Sequence, residues 1–193
     1  MEQEQFMNEM MARTGIKITA NILDIMKAGI TPMMFIESNA VYGNPKKFDI
    51  TTGITNDAIE TVFMCPNSMK NLACFQAALL HELAHATGQA SRCNRTIMAV
   101  NREPTKVEYS REEIVAESVA ANMMRLLEWE TEETKRLHVR YIEDYQMVLM
   151  SENAYSREVM EELAKEVQTS IDFMMTNWFK DYGQQKPMQQ EAV

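Results

Sequence analysis

Leu79-Leu80-His81-Glu82-Leu83-Ala84-His85-Ala86-Thr87-Gly88 carries the pattern His-Glu-x-x-His. Residues four apart share one face of a helix, so His81 and His85 can grip one metal ion together. Glu82 points along the edge of that face, where an attacking water would sit. The spacing suits zinc, with two imidazole ligands and the carboxylate as general base rather than ligand. It points to a metal-dependent hydrolase, most naturally a peptidase.

The framing of the motif strengthens it. Phe75, Ala78, Leu79, Leu83 and Ala84 place apolar residues around the histidines. An apolar helix has little reason to bury two imidazoles and a carboxylate unpaired. The plainer alternative is a pair of histidines satisfied in a core or on a surface. The helix is expected to start near Ser68 and finish at Gly88, a residue suited to a left-handed cap.

A catalytic zinc needs a third protein donor, with water in the fourth position. The only other histidine is the distant His138, which disfavours three histidines in quick succession. The acids downstream are Glu103, Glu108, Glu112, Glu113 and Glu117. Ser110 to Leu127 reads as an amphipathic helix with Ser110 as N-cap. At about 100° per residue, Arg111, Ser118, Asn122 and Arg125 form a polar stripe. Ala116, Ala120, Met123, Met124 and Leu127 lie opposite, with Glu113 near the middle of that apolar stripe and Glu117 and Glu112 toward its two edges. A carboxylate centred on a buried face needs a strong partner, and zinc is one. Glu113 is therefore the expected third ligand. Glu117 suits an acceptor for the free nitrogen of His81 or His85. The rival assignment exchanges the two roles, and a plainer one pairs both acids with arginines.

Three segments together carry a family resemblance: Leu80 to Gly88, Ser91-Arg92-Cys93-Asn94-Arg95, and Tyr109 to Glu117. In order and approximate spacing they resemble the gluzincin-like (HExxH…E) metallopeptidase domain of ArdC-type antirestriction proteins and of phage or plasmid polyvalent proteins. Cys65-Pro66 resembles that family's step into the metal helix, and Tyr141-Ile142 with Ala164 to Phe173 its closing helices. The likeness covers roughly Asp49 to Trp178. Ala86, Gln89 and Cys93 stand where many relatives have Trp, His and Leu, which bears on pocket shape. The resemblance implies a zincin-like fold, one zinc per chain, a protein or peptide substrate and a mobile-element origin. Larger relatives add an N-terminal domain that binds single-stranded DNA, for which this chain is too short. Ile18 to Gly29 resembles the opening helix of that domain, or is simply an amphipathic helix packed on the peptidase core.

Composition fits one domain with a real core: 193 residues, 46% of them hydrophobic. The net charge of −9 opposes direct binding of nucleic acid. No apolar run approaches the roughly 20 residues that cross a bilayer. The start, Met1 to Phe6, lacks the basic and apolar regions of a secretory signal. Three cysteines in no paired pattern fit reduced thiols in a cytoplasm. Cys74 lies two turns from His81, too far along the axis to share its ion. Cys65 and Cys93 read as core fillers or partly exposed thiols.

Other residues invite weaker readings. His138, on a charged helix, reads as a surface or capping residue. Tyr109 or Tyr42 could donate to the oxyanion of a tetrahedral intermediate. Arg92 and Arg95 read as loop anchors that pair with acids. The eighteen methionines, scattered at helical positions, suit adaptable core packing.

The expected architecture is α+β and mainly helical, a zincin-like metallopeptidase fold with a small antiparallel sheet before the His-Glu-x-x-His helix. Residues 1–182 form a single domain, with an N-terminal helix and strand in 1–48 and the family-like core in 49–178. Residues 183–193 are expected to be disordered. A first helix runs from about Glu4 to Lys27, with a break near Gly15, and ends at Gly29. Met33–Glu37 and Ala58–Met64 are strand candidates. Residues around Glu60 to Met64 would bind an extended substrate through sheet-edge hydrogen bonds, as the resemblance implies. After the helix of Glu113, further helices are expected over Thr131–Met150 and Ser156–Phe179.

Overall fold

Gly15 decides how the chain begins. Helix α1 (Glu2–Thr14) stops there because Gly15 has φ +71, a left-handed conformation that costs glycine little. Its N–H still bonds Met11 O at 3.0 Å. Ile16 and Ile18 are then buried on either side of exposed Lys17, a period of two, and β1 (Lys17–Thr19) follows. The expected helix is therefore corrected over Lys17–Thr19, which form a strand, and its remainder from Asn21 to Lys27 lies outside the described residues. The computed structural model describes residues 2–20, 40–43, 61–64, 71–95 and 104–182. The expected strand Met33–Glu37, the Cys65-Pro66 step and the tail 183–193 lie outside those residues.

Two more strands, β2 (Ala40–Gly43) and β3 (Thr61–Met64), complete a three-stranded sheet in the order β1-β3-β2. β1 runs parallel to β3, with Ile18 opposite Val62, whereas β2 runs antiparallel to β3, with Ala40 opposite Met64. The expected antiparallel sheet is thus corrected. A parallel pair cannot be closed by a tight turn, and β1 and β3 stand far apart in sequence. β3 is flanked on both sides, and all four of its residues are buried. β3 is paired on both edges, so Thr61–Met64 does not offer the expected sheet edge to a substrate, and Glu60 lies outside the described residues. The outer strands among the described residues are β1 and β2.

The rest is helical. α2 (Leu72–Thr87) opens on Asn71, whose side chain accepts from Cys74 N, and closes at Gly88 with φ −69. That right-handed value corrects the expected left-handed cap. α3 (Lys106–Leu126) opens on Thr105, which forms a reciprocal capping box with Glu108. Ser110 is inside the helix, bonding Lys106 O at 2.8 Å, and is not the cap. Two satisfied N–H groups favour Thr105 over a lone serine one turn later. α4 (Glu132–Ser151) and α5 (Arg157–Asn177) open on Thr131 and Ser156, as their sequences predict.

α3 lies at the centre, packed against α2, α4 and α5, while α2 also packs on β2 and β3. Its apolar face holds Ala116, Val119, Ala120, Met123 and Met124, all fully buried. Met10, Met64 and Met174 are buried with them, the adaptable filling that the methionine count predicts. Two helices meeting face to face here place the polar groups of one against those of the other.

Candidate metal centre

α2 supplies His81, Glu82 and His85; His81 and Glu82 are buried and His85 is half-buried. α3 supplies Glu112, Glu113 and Glu117, each at most 8% exposed. Burying three carboxylates without partners would be prohibitive, and each has its partner. Glu117 Oε2 lies 2.6 Å from His81 Nδ1, and Glu112 Oε1 lies 3.0 Å from His85 Nδ1. An ionised carboxylate can only accept, so both Nδ1 atoms carry the proton.

That assignment leaves the two Nε2 lone pairs directed toward each other, 3.0 Å apart. Glu113 closes the triangle. Its Oε2 is 3.4 Å from His81 Nε2 and its Oε1 is 3.5 Å from His85 Nε2. One donor atom from each of His81, His85 and Glu113 falls within 4.8 Å of the others. Ligands about 2.0–2.1 Å from a tetrahedral zinc stand about 3.3 Å from one another, so the donor set fits that ion.

Charge agrees with geometry. Among the described residues, Glu112, Glu113 and Glu117 meet the guanidinium of Arg95 around His81 and His85. With neutral imidazoles this group carries an excess of negative charge, which a divalent cation would offset. Without it, protons take that place. Burial disfavours the imidazolium of His85, but the Glu113 charge and the Glu112 hydrogen bond outweigh it and raise its pKa to about 9. His81 is likewise raised well above the ordinary range, with Glu113 and Glu117 overcoming burial. Against the same burial, His138 and His81 hold Glu117 at about 2. The histidine charges and hydrogen bonds hold Glu113 far below the carboxylate range.

Arg95 anchors the far side. It donates from Nε to Glu112 Oε2 at 2.9 Å and from Nη2 to Glu112 Oε1 at 2.5 Å. It also donates to Thr87 Oγ1 and Ser170 Oγ, both at 2.7 Å, and to Ala84 O at 2.8 Å. The loop after α2, the start of α3 and the middle of α5 are thereby tied to one buried cation. Arg92, the other expected anchor, donates to Ala86 O at 2.7 Å and stacks over Trp178. Both contacts anchor the loop that follows α2.

α4 covers the remaining side. The Tyr141 hydroxyl donates to Glu113 Oε2 at 2.7 Å, and its ring meets that of His81 edge-on, centroids 5.5 Å apart. Burial and the neighbouring Glu113 charge push its phenol pKa up, so the hydroxyl stays a donor. Tyr145 bridges Tyr141 to Tyr109, which is 46% exposed at the outer end of this aromatic row. His138 is 4% exposed and bonds Glu117, which corrects its expected place on the surface. The side chain of Tyr42 lies outside the described residues. Cys74 and Cys93 are not joined in a disulfide, and neither belongs to the donor cluster.

Sequence reasoning did not pair Glu112 with His85, and it missed Tyr141 and the inward turn of His138. Thr134, His138, Tyr145 and Leu149 recur at helical spacing, so the phase of α4 was the signal for that turn. No curated protein and no solved structure matches the chain. A family model described as zincin-like metallopeptidase matches residues 55–167, more than half of the chain. That span contains His81, His85 and His138 and the three buried carboxylates of α3, Glu112, Glu113 and Glu117, and the chain belongs to the zincin-like metallopeptidase family.

Proposed function

We propose that the protein is a zinc-dependent metalloendopeptidase, with His81, His85 and Glu113 as ligands and Glu82 as general base. The observation that carries this reading is the pair of Nε2 atoms 3.0 Å apart beside Glu113, with both Nδ1 atoms already committed to carboxylates. Zinc, when bound, supplies a Lewis acid that polarises the scissile carbonyl and lowers the pKa of water to near neutral. Glu82 follows His81 on α2, takes the proton of the attacking water and returns it to the leaving amine. Tyr141 orients Glu113 through its hydrogen bond. Tyr109, more exposed, is the donor assigned to the developing oxyanion.

The substrate is a protein or peptide. The likeness to ArdC-type and polyvalent proteins supports a mobile-element origin, a cytoplasmic place of action and a target among host defence or regulatory proteins. No described helix is long and apolar enough to cross a membrane. A binding protein that uses zinc only as a staple is the competing reading, and Glu82 favours the enzyme because a structural site needs no base. Metal analysis and an unspecific peptide-cleavage assay test the proposal. Wild type should hold about one zinc per chain, and Glu82→Gln should hold the same amount yet cleave nothing. Equal cleavage by both would reject the base, and equal protection of a phage or plasmid by both would favour binding.

A further inference from the structure

His138 is buried behind the metal-facing residues, and its two nitrogens are treated differently. Nδ1 lies 2.7 Å from Glu117 Oε1, while Nε2 is buried and makes no hydrogen bond among the described residues. The other oxygen of the same carboxylate, Oε2, lies 2.6 Å from His81 Nδ1. Glu117 is therefore clamped between two imidazoles, one on α2 and one on α4. A leucine or phenylalanine at 138 would fill this apolar position without a buried, unpartnered nitrogen, so packing does not explain histidine there. The bond from Nδ1 to Glu117 does.

We propose that His138 is a positioning residue for the metal site, acting through Glu117 on His81. A carboxylate turns easily about its last torsion, which is broad and two-fold. Donation from His138 to Oε1 fixes the plane of Glu117, and Oε2 then aims at His81 Nδ1. This holds the proton of His81 on Nδ1 and points the Nε2 lone pair at the space shared with His85 and Glu113. The carboxylate behind a ligating histidine is familiar in metal sites. What this chain adds is a second histidine that sets the carboxylate itself. The inference rests on His81 being a metal ligand.

The test is zinc affinity of the full chain, measured by competition with a chromophoric chelator, beside thermal unfolding of the metal-free forms. His138→Leu removes the donor and keeps the bulk. His138→Asn keeps an N–H near the position of Nδ1. The expected result is a loss of about 10- to 100-fold in zinc affinity for His138→Leu, with most of it restored in His138→Asn. The cobalt-substituted His138→Leu protein should also show shifted visible bands, because the His81 ligand is less well oriented. Wild-type affinity or an unshifted cobalt spectrum in His138→Leu overturns the proposal. Equal affinity losses in both variants, matched by equal losses of metal-free stability, overturn it as well, since the role is then packing. Wild type that holds no zinc overturns it together with the metal site.

Discussion

Glu112 and Glu113 are neighbours on α3, yet they face His85 from opposite sides. Glu112 Oε1 lies 3.0 Å from its Nδ1, and Glu113 Oε1 lies 3.5 Å from its Nε2. One carboxylate orients the ring and the next is placed to share its ion. The same division recurs at His81, where Glu117 holds Nδ1 and Glu113 faces Nε2. A single helix thus brings one candidate ligand and both supporting acceptors. The rigidity of α3 between Glu112 and Glu117 becomes the rigidity of the site.

The division separates the carboxylates by experiment. Glu113→Gln removes a donor that nothing replaces, and zinc content should fall to background. Glu117→Gln and Glu112→Gln leave three donors, and zinc should stay bound with about 10- to 100-fold weaker affinity. Chelator competition on the three variants reads the order directly. Should Glu117→Gln empty the site while Glu113→Gln keeps it filled, the two roles are exchanged.

Arg95 is 3% exposed and carries the counter-charge for Glu112. Replacing it with Met leaves a buried carboxylate facing apolar surface, and removing one partner of such a pair costs about 3–5 kcal/mol. Thr87, Ser170 and Ala84 O lose donors as well. Urea unfolding of Arg95→Met should therefore show a markedly lower midpoint. The same substitution at Arg92, which is half-buried and holds the Ala86 carbonyl and the Trp178 ring, should cost less than half as much. Comparable losses at the two positions would deny Arg95 its special place.

The opposing shifts of His85 and Glu117 give the metal-free protein a defined pH dependence. His85 has its pKa raised from 6.5 to about 9. The stability this contributes is complete below pH 6.5 and lost as pH rises through 9. Glu117 is lowered from 4.5 to about 2, so its contribution is present above pH 4.5 and lost as pH falls toward 2. Metal-free chain should unfold at lower urea at pH 9 than at pH 6. Zinc requires unprotonated imidazoles, so its apparent affinity should climb over the same interval, from about pH 6.5 to 9. Identical midpoints at pH 6 and pH 9 without metal would remove the proton from the site.

Much of this site was legible because α2 and α3 are regular helices. Three fixed positions in His-Glu-x-x-His and the phase of Ser110–Leu127 suffice to bring His81, His85 and Glu113 together, since a helix turns by the same angle everywhere. Sheet direction was not legible, because the pairing of Ile18 with Val62 joins segments far apart in sequence. The first strand was hidden by helix-like spacing around Gly15, where only the φ of one residue decides. Partners of Glu112 and Glu117 depend on how α4 and the loop after α2 fold back. Arg95 and His138 carry no local mark of that; α4's phase turns His138 inward without naming Glu117.

The two tyrosines can be told apart by what each loses. Tyr141→Phe keeps the ring against His81 but leaves Glu113 Oε2 without its 2.7 Å donor. A less oriented ligand should weaken zinc binding and lower turnover together. Tyr109 touches the site from its exposed end, next to Tyr145, and its pKa is pushed up by burial and by Glu113. As an oxyanion donor it acts only in the transition state, so Tyr109→Phe should keep wild-type zinc affinity and KM while kcat falls by about 10²–10³. Steady-state kinetics on zinc-loaded protein, paired with chelator competition, resolves the two patterns. A Tyr109→Phe enzyme with unchanged kcat would move the oxyanion role to another donor.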